Sequence, residues 1–105
     1  MTDSIAAITK QIRAFADARG WGKALANPKD LSLSIVLEAG ELMEIFQWVP
    51  DERLRARLEE RRQDVEDEAA DVAIYLLQFA DHMNIDLAKA IEKKMEKNGE
   101  KYPVK

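Results

Sequence analysis

With 105 residues, 47% of them hydrophobic and 34% charged, the chain has the composition of one globular domain spanning 1–105, which excludes disordered and membrane-spanning classes. It contains no cysteine, so disulfide frameworks, thiolate metal sites and cysteine nucleophiles are excluded. The formal net charge of -4 argues against a nonspecific nucleic-acid binder, and an anionic substrate would need a bridging cation or a local basic patch.

Glycine and proline are few and fall at boundaries, at RGWG (19–22), NPKD (27–30), VPDE (49–52) and NGEKYP (98–103), with helix-forming stretches between them and nothing that reads as a strand. The opening MTDSIAAITKQIRAF lacks the apolar core of a secretory signal, and no run approaches the length of a membrane span. The expected setting is therefore cytoplasmic, with no membrane partner. Ile5, Ile8, Ile12 and Phe15 recur at three- and four-residue steps and predict a first helix from about Asp3 to Arg19. Asp30 or Ser32 is placed to cap a second helix running through Trp48. The charged RLRARLEERRQDVEDE and the apolar AADVAIYLLQFA after it predict one long helix, or two broken near Arg62. The Asn84-Ile85-Asp86 stretch reads as a turn with an N-cap, and a last helix follows from about Leu87 to Asn98. The expected fold is all-α, a bundle of four or five helices.

In the second helix, Ile35, Ala39, Leu42, Met43 and Phe46 form one apolar stripe, while Leu37, Ile45 and Trp48 fall on the other side, around Glu41. A helix apolar on two sides predicts burial by its own bundle and by another subunit, in a dimer or tetramer. Carboxylates nevertheless interrupt it at three-residue spacing, Glu38, Glu41 and Glu44, and the segment around Ala69 to Ala80 repeats the pattern with Glu68 and Asp71. Residues three apart share a helix face, so Glu41 with Glu44 and Glu68 with Asp71 form two pairs that converge if the helices pack face to face. Isolated carboxylates in such a setting cost several kcal/mol, roughly, unless something cationic meets them. An all-oxygen ligand set suits Mg²⁺ or Mn²⁺. The same spacing also occurs on ordinary solvated faces, and EERRQDVEDE reads as one. The lone histidine, His82, does not follow a glutamate at three residues, so a carboxylate di-iron bundle is not indicated. No glycine-rich phosphate loop is present.

Taken in order, NPKDLSLSIVLEAGELMEIFQW, EDEAADVAIYLLQFAD and IDLAKAIEKKMEKNGEKYP closely resemble the MazG-like all-α nucleoside triphosphate pyrophosphohydrolases, in particular the small single-domain branch that includes dCTP pyrophosphatases. The carrying elements are Glu-x-x-Glu and Glu-x-x-Asp on successive helices, then Lys-Met-x-x-Asn-x-x-x-Tyr-Pro. The resemblance implies that Glu41, Glu44, Glu68 and Asp71 are the metal ligands. It places Lys94, Asn98 and Tyr102 toward the substrate phosphates and sugar, and Trp21 and Trp48 near the base pocket. Glu38 corresponds to a supporting group that orients or deprotonates the attacking water. One departure concerns specificity. Many relatives read Trp-x-x-Phe-His ahead of the Asn-Pro or its equivalent, where this chain has WGKALANP with Leu25 and Ala26, so a dCTP preference is not implied.

The activity implied is Mg²⁺-dependent hydrolysis of a (deoxy)nucleoside triphosphate to the monophosphate and pyrophosphate, as in nucleotide-pool house-cleaning, by a homo-oligomer. Mn²⁺ is the expected substitute, and Lys94 would supply fixed positive charge to the phosphates. Two alternatives stand beside this reading: hydrolysis of phosphoribosyl-ATP, whose enzymes share the helical fold, and a catalytically inactive oligomeric interaction module.

Overall fold

The structure, a computed structural model, describes residues 4–22 and 27–105. It is all-α: α1 Ser4–Ala18, α2 Pro28–Glu44, a single 3₁₀ turn Asp51–Arg53, α3 Leu54–Glu60, α4 Arg62–His82 and α5 Leu87–Lys101. The expected helices are present, and their boundaries follow local chemistry. Asn27, rather than Asp30 or Ser32, caps α2, its Oδ1 accepting from the Lys29 amide at 2.8 Å and the Asp30 amide at 3.3 Å. Pro28, which has no amide hydrogen to satisfy, occupies the first turn. The far end of α2 stops short of Trp48. Ile45 and Phe46 donate three residues back, to Leu42 and Met43, so the helix tightens into turns before Val49 and Pro50.

The charged middle segment is two helices. Arg61 leaves helical geometry at φ -114° and ψ 24°, and its guanidinium bonds Asp64 in the first turn of α4. Asp86 caps α5, accepting from the Lys89 amide at 3.1 Å. Asn84 supplies the left-handed residue at the end of α4, with φ 56°.

Helix α4 is central, packed along α2 on one side and against α1 on the other, with α3 leaning on it. A bidentate Arg13–Asp81 pair ties α1 to α4, Nε reaching Oδ2 at 2.9 Å. Among the described residues α5 packs extensively on no other helix, and everything from Lys89 onward is exposed.

The apolar core is small: among the described residues, Ala16, Leu31, Ile45 and Ala80 are the buried hydrophobic ones. Ile45 thus belongs to the core face with Leu31, not to an outer stripe with Leu37, while Met43 points outward. The chain exposes 8407 Å², whereas a folded monomer of 12.0 kDa exposes about 6,000 Å², an excess of roughly 2,400 Å². Its radius of gyration, 16.7 Å, exceeds the roughly 13 Å of a compact domain of this length.

The cap assignment has a direct consequence. Replacing Asn27 by Ala should lower unfolding free energy by about 1 kcal/mol in urea titrations, while Ser32→Ala should change it by less than about 0.5 kcal/mol. The reverse order would place the cap at Ser32.

Candidate metal and substrate site

Glu38 and Glu41, one turn apart on α2, meet Glu68 of α4 where the two helices pack together. One carboxylate oxygen from each of the three lies within 4.8 Å of the others, the spacing of ligands around one metal ion. Glu41 and Glu68 therefore converge as the sequence indicates. The third member of the close group is Glu38, while Glu44 stands outside it. Asp71, one turn beyond Glu68, is near enough for its charge to act on both Glu38 and Glu68.

Two oxygens, Glu38 Oε2 and Glu68 Oε2, are shut off from solvent without a hydrogen-bond partner. Burial pushes both carboxyls above the usual carboxylate range, and Glu41 acts in the same direction through its charge and through the hydrogen bond that a protonated neighbour donates to it. A chain rarely leaves two acceptors in this condition. The donor set is entirely carboxylate oxygen, which fits a hard divalent cation.

Two grooves flank the seam. One, of about 450 Å³, is lined by Glu41, Glu44, Ile45, Arg61, Asp64 and Glu68. Arg61 and Asp64 belong to the charged EERRQDVEDE face, yet they lie seven and four residues before Glu68 and line the same groove with it. The other groove, of about 470 Å³, is mostly apolar, and Phe15, Trp21, Ile74 and Tyr75 line it with Gln11, Gln78 and Asp71. Asp71 belongs to this groove and to the electrostatics of the seam alike.

The position of Trp21 follows from the end of α1. Gly20, at φ 71°, is the left-handed residue. The Trp21 amide donates to Ala16 O at 2.9 Å and the Gly20 amide to Asp17 O at 3.1 Å. This is the Schellman arrangement, whose usual apolar contact closes the turn. Here that contact is Trp21 edge-on to Phe15, with ring centroids 5.9 Å apart, and the Arg19 guanidinium stacks on Phe15. The 3.6-residue period assigned Phe15 to a core stripe, but it is half exposed and lines the groove.

The remaining sequence candidates are dispersed. Trp48 is 86% exposed and lines a separate groove with Arg53 and Arg57. Lys94, Asn98 and Tyr102 are exposed on α5 and its C-cap. Leu25 and Ala26, which replace the aromatic and histidine of many relatives, lie outside the described residues. His82, part-buried in the last turn of α4, neighbours Asp81 and not the carboxylate seam.

The raised carboxyls have a pH signature. A carboxyl whose folded pKa lies above its unfolded value destabilises the fold as pH rises from the usual carboxylate range through the raised value. Glu68→Gln mimics the protonated form. Without metal, its melting temperature should match wild type near pH 4 and exceed it by a widening margin toward pH 7. A margin constant with pH would show Glu68 titrating as an ordinary glutamate.

Known proteins give the seam a context. A pyrophosphatase from Archaeoglobus fulgidus superposes on the chain with a TM-score of 0.91 at 42% identity, covering 99% of this chain and 96% of that one. dCTP pyrophosphatase 1 of Bos taurus is 39% identical over 92 residues, which is 86% of this chain and 54% of that protein. The Homo sapiens protein of the same name is 38% identical over 98 residues, covering 85% and 53%. The chain thus spans about half the length of the curated relatives it matches. Residues 33–105, which hold all three clustered glutamates and none of α1, match the model of the MazG-like family, and the chain belongs to that family.

Proposed function

We propose that the chain hydrolyses a (deoxy)nucleoside triphosphate to the monophosphate and pyrophosphate, with Mg²⁺ held by Glu38, Glu41 and Glu68 and by Asp71 beside them. The observation that carries this reading is the three-carboxylate seam with two buried, unpartnered oxygens. The likeness to proteins named pyrophosphatase and dCTP pyrophosphatase supports the reaction class.

When bound, the divalent ion neutralises triphosphate charge and activates water, which this acidic chain needs in order to hold a polyanion. The residues do the rest. Glu41 and Glu68 would hold the ion from two helices, so its location would depend on α2–α4 packing and not on a loop. Glu38 is assigned the proton of the attacking water, and its Oε2, a buried acceptor with no donor of its own, supports that role. The groove walled by Phe15, Trp21 and Tyr75 offers apolar and aromatic surface to a base, with Gln11 and Gln78 as polar groups along it. Asp71 sets that groove beside the acids. Lys94, Asn98 and Tyr102 are assigned to phosphate and sugar on the resemblance of their motif, as is the second aromatic, Trp48. Glu44 is assigned to the rim of the seam. The working form is a homo-oligomer, supported by the roughly 2,400 Å² of excess surface.

The test is incubation with a panel of nucleoside triphosphates and Mg²⁺, followed by phosphorus NMR. Pyrophosphate is the expected primary product, and inorganic phosphate in its place would reject the class. Chelator should abolish turnover and Mg²⁺ or Mn²⁺ should restore it. Asp71→Asn should lower turnover by ~10²-fold or more. The exposed Glu66→Gln on the same helix should leave it near wild type. Equal losses in the two variants would refute the assignment of Asp71.

A further inference from the structure

The carboxylate seam is flanked by two grooves of unlike character, and a nucleoside triphosphate has two ends of unlike character. The groove of about 470 Å³ is mostly apolar and aromatic, and Asp71 joins it to the acids. The groove of about 450 Å³ meets the same seam through Glu41 and Glu68. With the base on the aromatic side and the α-phosphate at the seam, the β- and γ-phosphates are left to the second groove.

Carboxylates alone would make that groove hostile to phosphate, since Glu41, Glu44, Asp64 and Glu68 line it. Among the described residues one cation stands with them, Arg61. Its place is set by the backbone: Arg61 is the single residue between α3 and α4, out of helical geometry at φ -114° and ψ 24°. The guanidinium Nε donates to Asp64 Oδ2 at 2.5 Å, and the two side chains are 40% and 53% exposed. An exposed ion pair three residues apart is weakly held, so Arg61 can leave Asp64 for a stronger acceptor entering the groove. Phosphate is such an acceptor, because two of its oxygens match the planar fork of a guanidinium. Arg62, the next residue, points to Glu59 at 3.8 Å and lies outside the groove.

We propose that this groove is the pyrophosphate subsite, in which Arg61, held in place by Asp64 until substrate arrives, binds the β- and γ-phosphates. The inference rests on the hydrolysis proposed above and adds the direction in which the substrate lies across the seam. As the water oxygen bonds to the α-phosphorus, the bond from that phosphorus to the α–β bridging oxygen breaks. Its electron pair leaves with pyrophosphate, and the proton of the water goes to Glu38. Negative charge therefore grows at the end of the substrate that faces Arg61, where a fixed cation stabilises it. Lys94, assigned to the phosphates by its motif, is exposed on α5, whereas Arg61 shares a groove with two of the seam glutamates.

Inorganic pyrophosphate with Mg²⁺ probes this subsite without need of a base. In calorimetry the wild-type protein should bind it, and Arg61→Gln should weaken binding ~10-fold or more. Arg61→Lys should recover part of that loss, and Arg62→Gln should stay near wild type. Asp64→Asn should tighten binding several-fold, because it frees Arg61 and removes a negative charge from the groove. A pair that only braced the start of α4 would give another pattern, with Arg61→Gln and Asp64→Asn losing affinity together. In turnover, Arg61→Gln should raise KM for the triphosphate ~10-fold or more. Hydrolysis to pyrophosphate with KM unchanged in Arg61→Gln, or equal losses of pyrophosphate affinity in Arg61→Gln and Asp64→Asn, would overturn the subsite and leave the proposed function standing. Wild-type protein that neither turns over any triphosphate nor binds pyrophosphate with Mg²⁺ would overturn both.

Discussion

Packing α2 against α4 brings Glu38, Glu41 and Glu68 into one seam, and the rest of the molecule is arranged around that like-charged contact. Three carboxylates within 4.8 Å, two of them with an oxygen cut off from water, oppose the helix packing that creates them. The apolar row of Leu31, Ile35, Leu42 and Ile45 on α2 holds the helices together against this repulsion. The seam therefore has two ways to relax, by taking up protons or by taking up a cation. The upward pKa displacement of Glu38 and Glu68 is the first of these, seen in the chain alone. The second is the proposed function. Both follow from one decision in the sequence, to put acids at helical spacing on the side of α2 that meets α4.

Helix α4 converts that seam into a site with a direction. It is packed by α2 along one side and α1 along another, so residues one turn apart on it can face different neighbours. Glu68 reaches the acids, Asp71 reaches both the acids and the aromatic groove, and Tyr75 and Gln78 continue along the groove toward α1. The opposite wall comes from Phe15 and from Trp21, which the left-handed Gly20 folds back onto Phe15. The Arg13–Asp81 pair holds α1 at the far end of the same helix. A polyanion head and a flat apolar body would thus be received by successive turns of one rigid element.

How much of this was legible in the sequence depended on whether one helix sufficed to reveal it. The helices and the Glu41–Glu68 meeting were readable, because three-residue spacing of acids in apolar surroundings is a one-helix pattern. Which acid joins them was not. Glu38 and Glu44 flank Glu41 symmetrically in sequence, and only the direction from which α4 approaches selects Glu38. The same rotation puts Ile45 in the core and Met43 outside, against the assignment from periodicity. Asp30 and Ser32 are equally good cap residues by type, and it is proline at position 28, a marker of a helix start, that distinguishes Asn27. Phe15 and Arg61 were absorbed into a core stripe and a charged face, since their use depends on which helix stands opposite.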